Sequence, residues 1–566
     1  MQILGIWDGH DAGACIVEDG KIKVAINEER LSRRKLDVGF PKRSIEACLN
    51  YLNLKPTDIS IVATTTTDFS KTLTRLFPSL KERYYLFRRR KVEKPRFARF
   101  QHFLKYKLTS YGNFFGICKK VSEWLIKKEL KKMGFENFKL YFVDHHLAHA
   151  ASACFTSGMQ KAICITLDGV GDSLSGSVNI FENNEIKRIS SISARDSIGI
   201  FFEQVTNLLG FRELEDEGKV MCMADYSYPI DDSKNKFIDF FSVNGLNMKA
   251  KFSTSKSYKL IEKVVWNNPR ERVAYMAQRV LEKNVLELFR NAIEKLGIKD
   301  VCWAGGVASN IKLNRIIRLY SGLKNWFVFP HMGDGGLAVG SALYVSNLLY
   351  GTKSHRINDV YFGIDYDENF IESEIKKHNE LYYERRSDIA ELFAELICEG
   401  NYVFWFQGRM EYGPRALGNR SILAPADSEE VKDLLNIKVK EREWYQPFCP
   451  SMLEEDANNI LDDYDGIPDR FMTMGYMVRK DAKNATRAVV NVDLSARPQM
   501  VGEENKKYRK LIEHVKKEKG YGIILNTSFN IHGEPIVCSP DDAIRTMLKT
   551  KTKYLALGDF FVELKE

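Results

Sequence analysis

The sequence predicts a two-domain α/β protein, and two observations support this prediction. Strand-like apolar runs and helical stretches follow one another in an order that occurs twice in the first part of the chain. At 566 residues the chain is also longer than one hydrophobic core normally supports. A predicted helix ends at Tyr350-Gly351, so we divide the chain into domains 1–353 and 354–566.

The first domain opens with three strands, a helix and a fourth strand. Asp19-Gly20 lies between two apolar runs, which is a strong signal for a β-hairpin. The predicted strands are 3–7, 14–17, 22–26 and 59–64, and the helix covers 42–52.

A similar order of elements follows in the second half of this domain. Its predicted strands are 162–167, 177–181, 186–192 and 301–304, and its predicted helices are 199–209, 271–296 and 337–349. The two halves repeat in topology and do not align in sequence. Two such halves predict the duplicated actin-like ATPase architecture. Gly305-Gly306 follows the last strand, where glycine lets backbone amides approach a nucleotide phosphate; an ordinary tight turn is the alternative.

Two histidines four residues apart at a predicted helix start indicate a metal site. His145 and His149 share one helix face, while His146 points elsewhere. Asp168 and Asp334 follow strand-like runs, where α/β folds usually bind ligands. Two nitrogens with carboxylate oxygens suit iron(II), zinc or manganese. Helix caps or core imidazoles are the alternatives.

The second domain contains two polar segments that predict an oxyanion site. Residues 407–421 hold three arginines and three glycines, and a guanidinium fork binds phosphate or carboxylate in a bidentate manner. More basic residues lie in 438–443 and at Arg497. The polar run 526–530 ends a predicted strand over 522–525 and suits a phosphate or carbamoyl oxygen. A structural loop with arginines paired to Glu411, and an Asx or Ser/Thr turn, are the alternatives.

The net charge of +9 raises the question of nucleic acid, because basic and aromatic residues alternate in the stretch from Lys81 to Lys107. That stretch contains Arg88-Arg89-Arg90-Lys91 together with Tyr84, Tyr85 and Phe87. We expect a solvated helical insertion there, since charge runs usually form exposed faces, and we consider nucleic acid unlikely as a partner. An anionic substrate or a membrane surface is also compatible with this composition.

The remaining composition is ordinary for a globular enzyme, with 44% hydrophobic and 28% charged residues. No apolar run approaches the roughly 20 residues of a membrane span, and we expect a cytoplasmic protein. The ten cysteines contain no C-x-x-C pair, which is typical of core residues in a reducing compartment.

Four motifs together carry a family resemblance. They are Asp144-His145-His146-x-x-His149-Ala150, Gly305-Gly306-Val307-Ala308-x-Asn310, the run from Gly413 to Leu423, and Asn526-Thr527-Ser528-Phe529-Asn530-x-x-Gly533-Glu534-Pro535. The chain resembles the O-carbamoyltransferase family, which includes nodulation protein U, the cephamycin hydroxymethyl carbamoyltransferase and nebramycin 5′ synthase. The resemblance covers nearly the whole chain except about 71–132, which we treat as a basic insertion.

The resemblance implies a division of labour between the domains. The first would be similar to the metal-dependent actin-like proteins that make threonylcarbamoyl-adenosine in tRNA, and the second to their YrdC-like, carbamoyl-adenylate-forming partner. Carbamoyl phosphate and ATP, with Mg²⁺, would give carbamoyl adenylate, and a hydroxyl of a small-molecule or saccharide acceptor would then take the carbamoyl group. A homodimer is possible.

The resemblance also implies roles for individual residues. It implies iron(II) as the metal, bound by His145, His149, Asp168 and Asp334. Nucleotide in the first domain would contact Gly305, Gly306, Asn310 and Lys219, for which a surface lysine is the alternative. Carbamoyl phosphate and ATP would be bound by Arg415, Arg420, Lys438 or Lys440, Arg442, Arg497, Asn526, Thr527 and Ser528.

His10 matches the position proposed to deprotonate the acceptor hydroxyl. An imidazole with an ordinary pKa of about 6.5 can act as a base at neutral pH, and Asp8 or Asp11 would orient it. Either carboxylate could instead cap a turn or bind an amine of the substrate.

The sequence departs from the family pattern at two places. Gln446-Pro447-Phe448-Cys449-Pro450 stands where the family usually has Arg-Pro-Phe-Ala-Pro, so one expected cation is missing and Arg442 or Lys440 would compensate. The residues before Arg497 also lack the expected His and Gly. Two rival functions remain: an actin-fold kinase that forms ADP, and a non-catalytic RNA-binding relative.

Overall fold

The computed structural model describes residues 1–93 and 116–565, which form two compact units. The first unit comprises residues 1–28 and 36–357, and the second comprises 29–35 and 358–566. The main division falls close to the predicted boundary after residue 353. The segment 29–35 belongs to the second unit, although the sequence analysis placed it in the first domain. Residues 94–107 of the predicted basic stretch lie outside the described residues.

The first unit contains two five-stranded sheets of the same design. In the first sheet, β1 pairs antiparallel with β2 and parallel with β4, and the strand order is β3-β2-β1-β4-β5. The strands are β1 (Gln2–Trp7), β2 (Gly13–Glu18), β3 (Lys21–Asn27), β4 (Ile61–Thr65) and β5 (Lys139–Val143). The helices of this half are α1 (Glu28–Ser32), α2 (Lys42–Tyr51), α3 (Phe69–Leu76), α4 (Pro78–Arg88), α5 (Ile117–Lys132) and α6 (His145–Thr156).

The second sheet repeats this arrangement with the order β12-β11-β6-β7-β8, in which β6 is antiparallel to β7 and parallel to β11. Its strands are β6 (Lys161–Gly171), β7 (Leu174–Glu182), β8 (Glu185–Ser193), β11 (Asp300–Ala304) and β12 (Asn325–Val328). A separate hairpin joins β9 (Phe241–Asn244) to β10 (Asn247–Ala250). The helices are α7 (Ile198–Leu208), α8 (Glu217–Met223), α9 (Thr254–Trp266), α10 (Arg270–Leu296), α11 (Ile311–Arg318) and α12 (Leu337–Tyr350). The predicted duplication and the actin-like architecture are therefore confirmed.

Close packing between α6 and α12 fixes the helix that carries the histidine pair. A Cβ atom on Gly340 of α12 would lie 2.0 Å from the carbonyl oxygen of Ala148 in α6, so only glycine permits this approach. Ala148, Ala150 and Ala151 are completely buried. Small residues on both helices thus hold α6 rigidly against the core.

The second unit is built on an eight-stranded mixed sheet, in the order β13-β22-β21-β14-β15-β20-β16-β19. Its strands, with a short β17–β18 pair, are β13 (Leu381–Arg385), β14 (Val403–Phe406), β15 (Arg420–Pro425), β16 (Cys449–Leu453), β17 (Tyr476–Met477), β18 (Ser495–Ala496), β19 (Gln499–Val501), β20 (Ile523–Ser528), β21 (Tyr554–Leu557) and β22 (Phe560–Leu564). Its helices are α13 (Glu368–Ile375), α14 (Ile389–Cys398), α15 (Glu429–Leu434), α16 (Ala457–Ile460), α17 (Lys506–Lys519) and α18 (Pro540–Thr550). Helices α14 and α17 pack together over a core that includes Phe393, Trp405 and Tyr508. The unit is α/β, as expected.

The prediction of a solvated basic insertion is wrong for five basic residues between positions 71 and 89, whereas Arg90 and several lysines of α5 are exposed as expected. Lys71, Arg75, Lys81, Arg88 and Arg89 are all less than a tenth exposed. These cations are buried because carboxylates meet them: Arg75 and Lys71 pair with Asp8, and Arg88 pairs with Glu203 and Glu213. Among the described residues, no helix is both long enough and apolar enough to cross a membrane.

Candidate functional site

The predicted histidine pair lies in the first turns of α6 and is buried. Asp144 caps this helix by accepting a hydrogen bond from the Leu147 amide, which fixes where the helix begins. His145 and His149 are each 1% exposed. Their rings contact one another with centroids 4.8 Å apart, as spacing of four residues on one helix face requires.

Two carboxylates from distant segments join the histidines. Asp168 lies within β6, and Asp334 lies in the turn before α12. His145 Nε2 is 3.4 Å from Asp168 Oδ2, and Asp334 Oδ1 is 3.6 Å from Nε2 of both His145 and His149. One atom from each of the four residues lies within 4.8 Å of all the others. The structure therefore brings together the whole set that the sequence analysis proposed.

Neighbouring groups orient these side chains. Thr66 Oγ1 lies 3.0 Å from His145 Nδ1, so the other ring nitrogen, Nε2, faces the carboxylates. Asp172 accepts a hydrogen bond from the His145 amide, and the Gly306 amide donates to Asp168 Oδ1 at 2.8 Å. Thr66 and Asp172 were missed by the sequence analysis, although Asp172 lies only four residues beyond Asp168.

The electrostatics of the cluster favour a bound cation. Burial lowers the pKa of His145, but Asp334 and Asp168 outweigh it and raise that pKa to about 9. Burial alone would raise the pKa values of Asp168 and Asp334, yet nearby histidines hold both below the ordinary value. A proton on His145 thus occupies the place that a metal ion would take, since both neutralise the same carboxylates.

The donor set fits a divalent transition metal. His149 Nε2 is buried and makes no hydrogen bond with any described residue, while it faces Asp334. Two imidazole nitrogens and two carboxylate oxygens suit iron(II), zinc or manganese. His146 takes no part, because its Nδ1 lies 2.9 Å from Thr166 Oγ1 and burial lowers its pKa to about 3.

His10 adjoins the same cluster through Asp334. Its Nε2 lies 3.2 Å from Asp334 Oδ2, the carboxylate oxygen that does not face the histidine pair. The His10 ring is a quarter exposed and contacts the ring of Tyr85, with centroids 5.3 Å apart. The structure therefore places a candidate base beside the candidate metal site.

The carboxylate of Asp8, proposed to orient His10, is instead bound by cations. Arg75 donates to both of its oxygens, from Nε at 2.7 Å and from Nη2 at 3.0 Å, and Lys71 Nζ lies 2.9 Å away. Lys81 also donates to the Asp8 carbonyl. Burial raises and these cations lower the pKa of Asp8, with a net result well below its ordinary value. Asp11, the other candidate, accepts a hydrogen bond from Asn27.

The residues predicted to contact nucleotide in the first unit have mainly structural contacts. Gly305 has φ +99°, and a Cβ there would lie 2.1 Å from the Leu167 carbonyl oxygen. Asn310 caps α11 through the Leu313 amide and exchanges hydrogen bonds with Gln278. Lys219 pairs with Asp216 at 3.2 Å.

A cavity of about 550 Å³ adjoins this region and is large enough for a nucleoside. Gln278, the partner of Asn310, lines it together with Asp225, Glu282 and Lys312. The lining is net acidic, because Lys312 pairs with Asp225 and Arg279 pairs with Asp232, so it suits hydroxyl groups better than phosphates.

The second unit gathers several of the predicted oxyanion ligands at one end of its sheet. Lys440 is 6% exposed and donates to Ser528 Oγ at 3.2 Å and to Asn530 Oδ1 at 2.8 Å. Burial and the charge of Arg442 hold the pKa of Lys440 well below its ordinary value. Asn526, two residues before Ser528 in β20, donates to Ser451 Oγ. Thr527 lies between them, opposite Ile422 of β15.

Two arginines approach the same strands. The Arg497 guanidinium contacts Cys449 Sγ, at 3.0 Å from Nη2, and Cys449 pairs with Asn526 across β16 and β20. Arg442 stacks on the ring of Phe448, 3.9 Å from its centroid, and donates to the Asn436 side chain. Arg442, one of the two residues expected to compensate for the cation that the Gln446 position lacks, lies against the Gln446-Pro447 backbone.

The other predicted ligands occupy different places. Arg420 is completely buried, donates to the Gln407 and Gly408 carbonyls, and stacks on Phe406, so its role is structural. Lys438 is exposed, whereas Lys440 is buried, so the structure favours Lys440 of these two candidates. Arg415 is partly exposed in the loop that precedes β15.

The segment 29–35 supplies cations to the second unit that the sequence analysis did not find. Arg30 donates to the Gly413 carbonyl, and Arg33 donates to the Pro535 and Ile536 carbonyls. The positive charge of Lys35 is among the causes that lower the pKa of Lys440. Nothing local in the sequence indicated this, because the segment lies more than 300 residues from its partners.

The first unit thus contains a buried cluster of histidines and carboxylates, and the second gathers basic side chains beside the polar end of β20. Residues 2–343 match the carbamoyltransferase N-terminus family, and residues 394–564 match the carbamoyltransferase C-terminus family. The chain therefore belongs to the carbamoyltransferase family, which confirms the predicted resemblance.

The chain is also similar to individual proteins and to a solved structure. The chain is 34% identical over 572 residues to nodulation protein NolNO of Sinorhizobium fredii, covering 98% of this chain and 79% of that one. It is 32% identical over 581 residues to an uncharacterized protein of Methanocaldococcus jannaschii, covering 99% of both chains. Among solved structures, HypF of T. kodakarensis has a TM-score of 0.35 and 14% identity, covering 62% of this chain and 48% of that one.

Proposed function

We propose that this carbamoyltransferase is an ATP-dependent O-carbamoyltransferase that works through carbamoyl adenylate. The observation that carries the proposal is the convergence of His145, His149, Asp168 and Asp334 beside His10. The buried His149 Nε2 also makes no hydrogen bond within the described part of the chain, and a bound metal ion would satisfy this nitrogen.

The second unit would form the activated carbamoyl group. Water hydrolyses carbamoyl phosphate to carbamate and phosphate, a carbamate oxygen attacks the α-phosphorus of ATP, and carbamoyl adenylate forms as pyrophosphate leaves. Lys440 and Arg497 would neutralise the charge that develops on the departing phosphate, since preorganised cations in a buried site stabilise such charge strongly. Ser528 and Asn526 would position the carbamoyl group. Mg²⁺ would accompany ATP.

The first unit would carry out the transfer. His10 would remove the proton from the acceptor hydroxyl, whose oxygen attacks the carbamoyl carbon while AMP leaves. Asp334 would hold His10 in place and stabilise its protonated form, since the two are 3.2 Å apart. A divalent cation bound by the four-residue cluster would supply Lewis acidity toward the phosphate of the leaving group. The family resemblance favours iron(II) in that role.

Following pyrophosphate, AMP and ADP from ATP, with and without carbamoyl phosphate and iron(II), tests this proposal. Release of pyrophosphate that depends on carbamoyl phosphate is expected. ADP formation that is indifferent to carbamoyl phosphate would contradict the proposal and favour the kinase.

Two variants separate the half-reactions. Lys440→Met is expected to lose carbamoyl-phosphate-dependent pyrophosphate release. His10→Asn is expected to keep that release and to lose carbamoyl transfer to hydroxylated sugars. Loss of pyrophosphate release in His10→Asn, with an unchanged melting temperature, would contradict the division between the units.

A further inference from the structure

An exposed apolar surface lies at the junction of α3 and α4. All five residues from Leu76 to Leu80 are exposed, and four of them are apolar. Leu80 is 64% exposed and Phe77 is 50% exposed. We call Leu76, Phe77, Pro78 and Leu80 the apolar tip. Contiguous apolar residues of this kind usually mark a binding surface.

The neighbouring helix α5 carries a basic stripe on its outer face. Its buried residues, Cys118, Ser122, Ile126 and Leu130, recur every four positions and face the protein. The opposite face is exposed at Ile117, Lys120, Trp124, Lys128 and Lys131, which we call the lysine stripe. Steps of three or four residues place these five side chains on one face.

The apolar tip and the lysine stripe belong to adjoining helices. Thr72 in α3 contacts α5 twice, with its Oγ1 3.0 Å from Ser122 Oγ and 3.3 Å from the Cys118 carbonyl oxygen. α4 begins at Pro78, directly after α3 ends at Leu76. The helices that carry the two features therefore lie next to one another in the first unit.

The charge of α5 is strongly positive. It has six lysines and two glutamates, and the glutamates pair with Lys127 and Lys132, neither of which belongs to the lysine stripe. Trp124 stands in the middle of the stripe, 59% exposed, with Lys128 Nζ 5.2 Å from its ring centroid. A tryptophan among lysines is typical of helices that lie at a membrane surface.

We propose that the apolar tip and the lysine stripe dock this protein on the surface of an anionic lipid bilayer. The lysines match the negative headgroups, and the tryptophan and the aliphatic side chains enter the boundary between headgroups and acyl chains. RNA suits this surface less well, because leucines do not stack on bases and Lys128 lies over the Trp124 ring.

Sedimentation of the full chain with vesicles tests the proposal. The probes are vesicles of phosphatidylcholine alone and vesicles that contain roughly 30% phosphatidylglycerol. We expect binding to the anionic vesicles at about 0.1 M salt and much weaker binding at about 0.5 M. Trp124→Ser should weaken binding by about 10–100-fold, since one large apolar side chain is lost from the boundary.

Helix α9 offers matched controls for both kinds of substitution. Trp266 at its end is 89% exposed, and Lys256, Lys259 and Lys263 are exposed at helical spacing. Trp266→Ser should bind vesicles as the wild type does. Replacing Lys120, Lys128 and Lys131 by Glu should abolish vesicle binding. Replacing the three α9 lysines by Glu should reduce vesicle binding only slightly.

Several results would overturn the proposal. They are absence of binding to the anionic vesicles at the lower salt concentration, equal binding to both kinds of vesicle, and equal losses for the α5 and α9 variants. If poly(U) RNA bound through the lysine stripe and vesicles did not bind, the surface would be assigned to RNA. Self-association that Trp124→Ser abolished, without vesicle binding, would assign it to a second copy of the chain.

Discussion

His149 Nε2 lies 3.6 Å from Asp334 Oδ1, and the same oxygen lies equally far from Nε2 of His145. The other oxygen of Asp334 lies 3.2 Å from His10. One carboxylate thus links the candidate metal ligands to the candidate base. Binding of a cation and proton transfer at His10 are expected to affect one another for this reason.

The threonine behind His145 gives a sharp test of the metal site. Thr66→Val removes the hydroxyl at His145 Nδ1 and should weaken metal affinity by about 10–100-fold, because such partners orient the ligand. Thr166→Val is the matched control, since Thr166 contacts Nδ1 of His146 on the same helix. Metal content and affinity can be measured by mass spectrometry and by titration with iron(II) or zinc. Equal losses in both variants would contradict the site.

Metal binding should release a proton. The pKa of His145 is raised to about 9 in the metal-free protein, so at a pH of about 7.5 the ring is protonated and must lose that proton to bind metal. Affinity should therefore increase about tenfold per pH unit up to a pH of about 9. Calorimetry in two buffers of different ionisation enthalpy measures the released proton. An affinity that does not change with pH would rule out His145 as a ligand.

Asp8→Asn should destabilise the fold. It leaves Arg75 and Lys71 buried without their carboxylate, and loss of one partner from a buried ion pair costs about 3–5 kcal/mol. Urea unfolding measures this change. Asp481→Asn is the control, because its partner Arg479 is exposed and the free energy of unfolding should hardly change. Unchanged stability in Asp8→Asn, with loss of transfer, would instead support the role of Asp8 in orienting His10.

Glu217 should make stability depend on pH. Burial, followed by the charge of Glu203, raises its pKa in the folded protein to about 8, from an ordinary value of 4.5. The folded state therefore binds this proton more tightly than the unfolded state. The stabilisation that this proton provides is complete below a pH of 4.5, and it is lost as the pH rises to about 8.

Glu217→Gln removes that dependence. The difference in free energy of unfolding between the variant and the wild type should increase steadily from a pH of about 5 to a pH of about 8. Above a pH of about 8 this difference should stay constant. Urea unfolding over this range is the measurement, with the exposed Glu399→Gln as the control. A constant difference between wild type and variant would contradict the raised pKa.

Arg420 and Arg497 should respond differently to substitution by methionine. Arg420→Met leaves buried carbonyls of Gln407 and Gly408 without donors, which should cost about 3 kcal/mol or more of stability. Arg497→Met should leave the melting temperature nearly unchanged and lower carbamoyl-phosphate-dependent pyrophosphate release. Thermal unfolding and the pyrophosphate assay decide between these roles. Full activity in Arg497→Met would exclude it from the oxyanion site.

The sequence alone determined the elements whose signals are local. The hairpin turn at Asp19-Gly20 joins β2 to β3 as predicted, and the spacing of His145 and His149 placed both on one face of α6. Helix α10 agrees with its prediction within one residue at its start. Such signals depend only on the periods of helices and strands, which a short stretch of sequence contains in full. Asp168 and Asp334 were found because each follows a strand-like run, and the family resemblance implied the same ligands.

Only the tertiary structure decided where charged residues reside. A run of basic residues predicted an exposed helix, yet Arg88 and Arg89 are buried because carboxylates distant in sequence meet them. Arg420 and Lys440 have the same charge, but the Arg420 guanidinium donates to the Gln407 and Gly408 carbonyls, whereas Lys440 Nζ donates to Ser528 at the end of β20. The segment 29–35 joins the second unit through contacts with residues beyond position 400. Burial and pairing of charge depend on the whole fold, because the energy of a charge is set by the groups around it and not by its neighbours in sequence.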